Sequence, residues 1–116
     1  ARASVGLGAF SLHGDGSLRL DLVHIDDACE AVARALVAPE LPPAINIGGG
    51  SGAPSITELA EVFGVVTVGR EQVPGVDALL PRTLDIQLAA EVLGWRPEVD
   101  LRRGAAELLE HFMRRP

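Results

Sequence analysis

Residues 18–37, LRLDLVHIDDACEAVARALV, change hydrophobic period partway along, and that change sets the fold class. Leu18, Leu20 and Leu22 alternate with Arg19, Asp21 and Val23, which is the two-residue period of an extended strand. From Asp27 onward the apolar residues Ala28, Val32, Ala35 and Leu36 recur at helical spacing. Asp27 followed by Glu30 reads as a capping box that opens this helix. Pro39, Pro42 and Pro43 end it, because proline removes a backbone donor and clashes with the preceding turn.

The same logic extends outward. Phe10 to His13 is β-like, and Gly14-Asp15-Gly16-Ser17 tolerates positive φ, so a hairpin with Leu18 to Val23 is expected. Ala44 to Ile47 reads as a short buried strand, and Gly48 to Ala53 as a glycine-rich turn. Ser55 and Glu58 form a second capping box, with Ile56, Leu59, Ala60 and Phe63 inward and Gly64 as a left-handed stop. Val65 to Val68 is a third β-like run. Asp85 opens a helix that places Ile86, Ala89, Ala90 and Leu93 inward and stops at Gly94. Asp100 opens a last one, with Leu101, Ala105, Leu108, Leu109 and Phe112 inward. Helices alternate with short strands, so the expected class is α/β, a small sheet with packed helices, in one domain or fragment spanning residues 1–116.

Composition narrows the function classes. The chain has 116 residues and is 47% apolar, which points either to a dense core or to a face meant to meet something else. Its ten basic residues are all arginines, none is a lysine, and there is no tyrosine. A net charge of −6 without a basic run argues against nucleic-acid binding. One cysteine, Cys29, allows no internal disulfide, and no apolar run reaches the ~18 residues of a membrane span. The expectation is a soluble, cytoplasmic protein.

Gly48, Gly50 and Ala53 fit the G-x-G-x-x-[G/A] spacing by which glycines let backbone N–H groups approach a pyrophosphate. The same residues also suit a tight structural turn, and Pro54 removes one of the donors. A phosphate loop of the lysine-containing kind is excluded. His24 and Asp26 share one face of an extended segment and could hold a metal, but no other histidine has ligand spacing, so a packed or hydrogen-bonded His24 is the simpler reading. Asn46 is likewise assigned to structure. Cys29, within a helix, reads as a small buried apolar residue.

Taken in order, Gly14-Asp15-Gly16, Asp21 to Asp27, Asn46-Ile47-Gly48, Ser55 to Leu59, Pro74-Gly75, Asp85, Leu93-Gly94-Trp95-Arg96-Pro97 and Gly104 form a pattern. It resembles the C-terminal third of the extended short-chain dehydrogenase/reductase family, the NAD-dependent epimerases and dehydratases. The resemblance covers about residues 12–113. It implies an intact protein that binds NAD(P) on an N-terminal Rossmann domain and works through a Tyr and a Lys in Y-x-x-x-K. This chain has neither residue type, so by itself it is expected to be catalytically silent, with no catalytic residue and no cofactor of its own. The resemblance makes its role the shaping of a substrate pocket, and its partner the missing Rossmann domain or another chain; a homo-oligomer is compatible.

In the family two arginines hold the substrate diphosphate, and here Leu20 and Val73 stand at those positions. Arg19, Arg70 and Arg82 are the candidate substitutes. Losing arginine forks removes charge-assisted bonds of about 2 kcal/mol each, so weakened nucleotide-sugar binding, or a smaller and less charged substrate, is expected. Two other readings remain open: a stand-alone binding or regulatory module, and a minimal nucleotide binder using Gly48 to Ala53.

Overall fold

The computed structural model describes residues 10–65, 67–71 and 83–114. The elements are β1 (Phe10–His13), α1 (Ile25–Val37), α2 (Ile56–Val62), β2 (Thr67–Glu71), α3 (Gln87–Leu93) and α4 (Leu101–Met113). They fall into two compact units. The first draws on the described residues within 1–20, 54–81 and 101–116, the second on those within 21–53 and 82–100.

In the first unit, β1 and β2 pair in parallel, with Phe10 opposite Thr67, Leu12 opposite Arg70 and His13 opposite Glu71. The expected hairpin does not form. The turn itself is present: Gly14 and Gly16 take φ of 76° and 80°, and the Asp15 carboxylate accepts the Ser17 N–H at 2.8 Å. The chain that leaves it turns to α2 instead of back along β1. The first N–H groups of a helix have no partner within it. Here the Ile56 N–H donates to the Leu18 carbonyl at 2.9 Å and the Thr57 N–H to the Gly16 carbonyl at 3.1 Å. An antiparallel bridge joins Arg19 to Ser55. The start of α2 thus uses carbonyls that a hairpin would have needed.

The Ser55–Glu58 capping box forms as expected. Helix α2 closes with the Val65 N–H on the Ala60 carbonyl and the Gly64 N–H on the Glu61 carbonyl, Gly64 lying at φ 63°. This double closure is the pattern that favours glycine after a helix. In α4 Ala105 is buried, while Leu108 and Phe112, expected inward, are exposed.

The second unit has its core around Trp95, Ala31 and Ala89, with Val23, Ile45, Ile47, Ile86 and Leu93 packed against them. Trp95 donates its indole N–H to the Asp27 carbonyl at 2.8 Å. This corrects the reading of Asp27 as a cap. The helix starts three residues earlier, with His24 as its N-cap and the His24 Nδ1 accepting the Asp26 N–H at 3.3 Å. Asp27 is buried, and its carboxylate accepts the N–H groups of Glu98 (3.1 Å) and Val99 (2.9 Å). The Arg34 guanidinium donates to the carbonyls of Leu93 and Gly94, and to Glu30 at 2.8 Å. It so serves carbonyls at the end of α3 that lack partners within the helix. Gly94, at φ 61°, stops α3 as expected.

Two further expectations fail here. Ala44 to Ile47 joins no strand among the described residues. The inward stripe expected on α1 is also wrong: Val32 and Leu36 are 60% and 81% exposed, and Ala31 is the apolar residue that meets the core. Spacing identified an amphipathic helix, but the face that met the core was chosen by Asp27 and Arg34.

Because Asp27 holds two backbone donors, Asp27→Ala is expected to destabilise the chain by about 2–3 kcal/mol, since those donors lose a charged acceptor. Asp27→Asn, which keeps an acceptor oxygen, should cost clearly less. Urea unfolding followed by Trp95 fluorescence reads both, and equal midpoints for the two variants would contradict the assignment.

Candidate functional site

Arg19, the first candidate for substrate contact, lies in the first unit. Its guanidinium Nη1 stands 3.6 Å from Glu58 Oε2, and both side chains are about half exposed. Glu58 Oε2 also accepts the Ser55 N–H at 2.7 Å, while the Ser55 hydroxyl oxygen accepts the Glu58 N–H at 3.1 Å. These contacts hold the Glu58 carboxyl below its usual range. The Ser55 backbone N–H is the largest cause and the Ser55 side chain the next; burial opposes them, and the Arg19 charge is the smallest contribution. Arg19 therefore leans on a helix-cap carboxylate. Leu20, at the family's arginine position, is half-buried and donates its N–H to the Pro54 carbonyl.

Arg70 lies on β2, in register with Leu12. Arg82 lies outside the described residues, as do Val73 and Pro74-Gly75. The structure thus puts Arg19 and Arg70 in the same unit.

The glycine-rich turn has a packing explanation. Residues Gly50–Gly52 make one 3₁₀ turn. The Gly49 N–H donates to the Asp21 carboxylate, whose other oxygen accepts the Leu84 N–H at 2.6 Å. A Cβ at Gly48 would stand 2.5 Å from Asp21 Oδ1, and one at Gly49 would collide with the Leu22 carbonyl. Gly50 takes φ 65° beside the Ile86 side chain. These glycines let residues 48–50 lie directly on residues 21–22, and at least one N–H that a pyrophosphate would need already serves Asp21. Asp21 was legible only as part of a motif; its role as a two-ended acceptor depends on segments 28 and 63 residues away.

His24 and Asp26 serve the start of α1 through the Nδ1 contact given above, and Asn46 donates to the Asp85 carbonyl at 3.1 Å. Both agree with the structural reading. Cys29 does not: it is exposed on α1, not buried.

No protein-family model matches the chain. It is 36% identical over 115 residues to the dTDP-6-deoxy-L-talose 4-dehydrogenase (NAD(P)(+)) of Kitasatospora kifunensis, covering 93% of this chain and 36% of that protein. It is 34% identical to the UDP-glucose 4-epimerase of Mycolicibacterium smegmatis, over 87% of this chain and 33% of that one. Among solved structures, the Thermotoga maritima UDP-glucose 4-epimerase with UDP-glucose matches with a TM-score of 0.78 at 27% identity, over 97% of this chain and 37% of that one. An epimerase from Methanothermobacter thermautotrophicus, at 21% identity and a TM-score of 0.82, shares the fold. By name, the two curated relatives are a 4-dehydrogenase and a 4-epimerase of nucleotide sugars, and both solved structures are epimerases. The chain spans about a third of the length of the curated relatives it matches.

Two outcomes follow. Gly49→Ala should destabilise the chain by about 1–3 kcal/mol, because a Cβ has nowhere to go, whereas Gly52→Ala, with open space around it, should stay within about 0.5 kcal/mol of the parent. A carboxyl held low in the folded state adds stability that is present above its unfolded value and lost as pH falls through its folded one. Glu58→Gln should therefore flatten the fall in thermal midpoint between about pH 5 and pH 3, the range where glutamate protonates.

Proposed function

We propose that this chain is the C-terminal, substrate-side portion of an NAD-dependent epimerase/dehydratase of the extended short-chain dehydrogenase/reductase kind, shaping one wall of a sugar-derivative pocket. The observation that supports this most is the mismatch of coverage. The likeness to the first-named relative runs along 93% of this chain and only 36% of that protein. A portion of that size accounts for a pocket wall and leaves cofactor binding to the remainder.

The residue inventory agrees. Proton and hydride chemistry of the family's kind needs a tyrosinate base and a lysine that lowers its pKa, and this chain has neither. Its own work is to bind and orient. NAD(P), held by the remainder of the protein, supplies the hydride acceptor. Arg70 and Arg82 are the substrate-contact residues in this reading. Arg19 contributes less, because its guanidinium also serves Glu58. With Leu20 where the family has an arginine, the pocket favours a substrate less dependent on a diphosphate grip.

A second reading, a binding module that has lost catalysis, shares the same fold and differs in what the rest of the protein does. The 116-residue chain with NAD⁺ and UDP-glucose should show no turnover, and adding a polypeptide that carries the cofactor domain should restore it. Turnover by the chain alone, purified free of other enzymes, would end the first reading; failure of restoration with a folded partner would favour the second. In an active assembly, Arg70→Ala and Arg82→Ala should each raise KM about tenfold, matching the loss of one charge-assisted bond, and Arg19→Ala should raise it less.

A further inference from the structure

Arg19 is held in place through the backbone on both sides of it. The Leu20 N–H donates to the Pro54 carbonyl and the Ile56 N–H to the Leu18 carbonyl, each at 2.9 Å, and an antiparallel bridge joins Arg19 itself to Ser55. A residue whose two neighbours are tied to residues 54–56 delivers its side chain to the start of α2. There its guanidinium Nη1 stands 3.6 Å from Glu58 Oε2. The carboxyl is fixed as well: the same Oε2 accepts the Ser55 N–H, and the Glu58 N–H donates to the Ser55 hydroxyl. Local hydrogen bonds thus set two opposite charges side by side, and both lie within one unit.

Such a half-exposed pair adds little to stability, because water screens it and two long side chains must be ordered. Its effect on a ligand is of another kind. The Ser55 contacts hold the Glu58 carboxyl below its usual range, and arginine keeps its proton at any ordinary pH. At neutral pH the position therefore carries one cation and one anion, with no net charge. An anion that approaches Arg19 also meets the Glu58 carboxylate, so it gains less than it would from an unopposed guanidinium. An uncharged ligand meets no such opposition.

We propose that Glu58 is a specificity-determining residue of this chain: paired with Arg19, it disfavours a nucleoside diphosphate at that part of the pocket wall and favours a substrate of lower charge. The inference rests on the reading above in which Arg19 contacts substrate. It gives the weak diphosphate grip two causes in place of one. Leu20 leaves the family's arginine position without a cation, and Glu58 offsets the cation that stands next to it.

Glutamine also completes a capping box, so Glu58→Gln removes the charge and keeps the acceptor at the start of α2. The test uses the chain assembled with the polypeptide that carries the cofactor domain, titrated with UDP by calorimetry at neutral pH. Glu58→Gln is expected to lower the Kd for UDP about threefold, the size of effect seen for exposed charge pairs. Uridine, which lacks the diphosphate, should bind no more tightly than before. The gain should vanish in an Arg19→Ala background and shrink as sodium chloride is raised, since salt screens exposed charges. Glu61→Gln, which removes another exposed charge from α2, should not reproduce it. An unchanged Kd for UDP overturns the proposal, as does an equal gain for uridine, a gain that survives Arg19→Ala, or no binding of UDP at all. Turnover of UDP-glucose on the same samples separates the two ideas. The charge effect on UDP without turnover keeps the role of Glu58 and sinks the functional reading; turnover that Arg19→Ala weakens, with UDP binding indifferent to Glu58→Gln, does the opposite.

Discussion

The carboxylate of Asp27 is the point on which the second unit depends. It is buried, and it accepts two backbone N–H groups from residues 98 and 99, while the carbonyl of the same residue accepts the Trp95 indole N–H. One residue in the first turn of α1 thereby fixes a segment about 70 positions later. A charged acceptor is well suited to this, because buried N–H groups need a partner and bonds to a carboxylate are stronger than neutral ones. Asp21 repeats the device, tying residues 49 and 84 to the strand-like segment before α1. The unit is built by two acidic residues that recruit distant backbone, around a core in which Trp95 is, among the described residues, the one large side chain fully buried.

This construction explains the odd polarity of α1. Its inward side is committed to Asp27, Ala31 and Arg34, which hold the Trp95 region and the end of α3. The apolar residues of the helix are then left on the other side. In a free-standing domain such a face is a cost, since apolar surface in water is unfavourable by roughly 25 cal/mol per Å².

Local signals with local causes were read correctly. The Ser55–Glu58 box, the left-handed stops at Gly64 and Gly94, and the inward Ala89 involve residues within a few positions of one another, so spacing alone specifies them. Readings that required a partner elsewhere failed. The segment after Ser17 had a strand's alternation, but the start of α2 took its carbonyls. Asp27 had the context of a cap, but it was needed at residues 98 and 99, and His24 capped instead. Cys29 and Val32 had helical spacing, but periodicity does not say which side of a helix meets the core when both sides can.

The sequence by itself determined the helical segments, most of their ends, and the likeness to NAD-dependent epimerases and dehydratases. Those rest on short-range hydrogen bonding and on an ordered set of motifs, both of which are written along the chain. Only the tertiary structure decided which carboxylates carry the architecture, why three glycines stand at positions 48–50, and which face of α1 is left open. Each of those is a contact between residues 27 to 72 positions apart, and the choice among such contacts is made by competition for buried donors and acceptors, which no local pattern records.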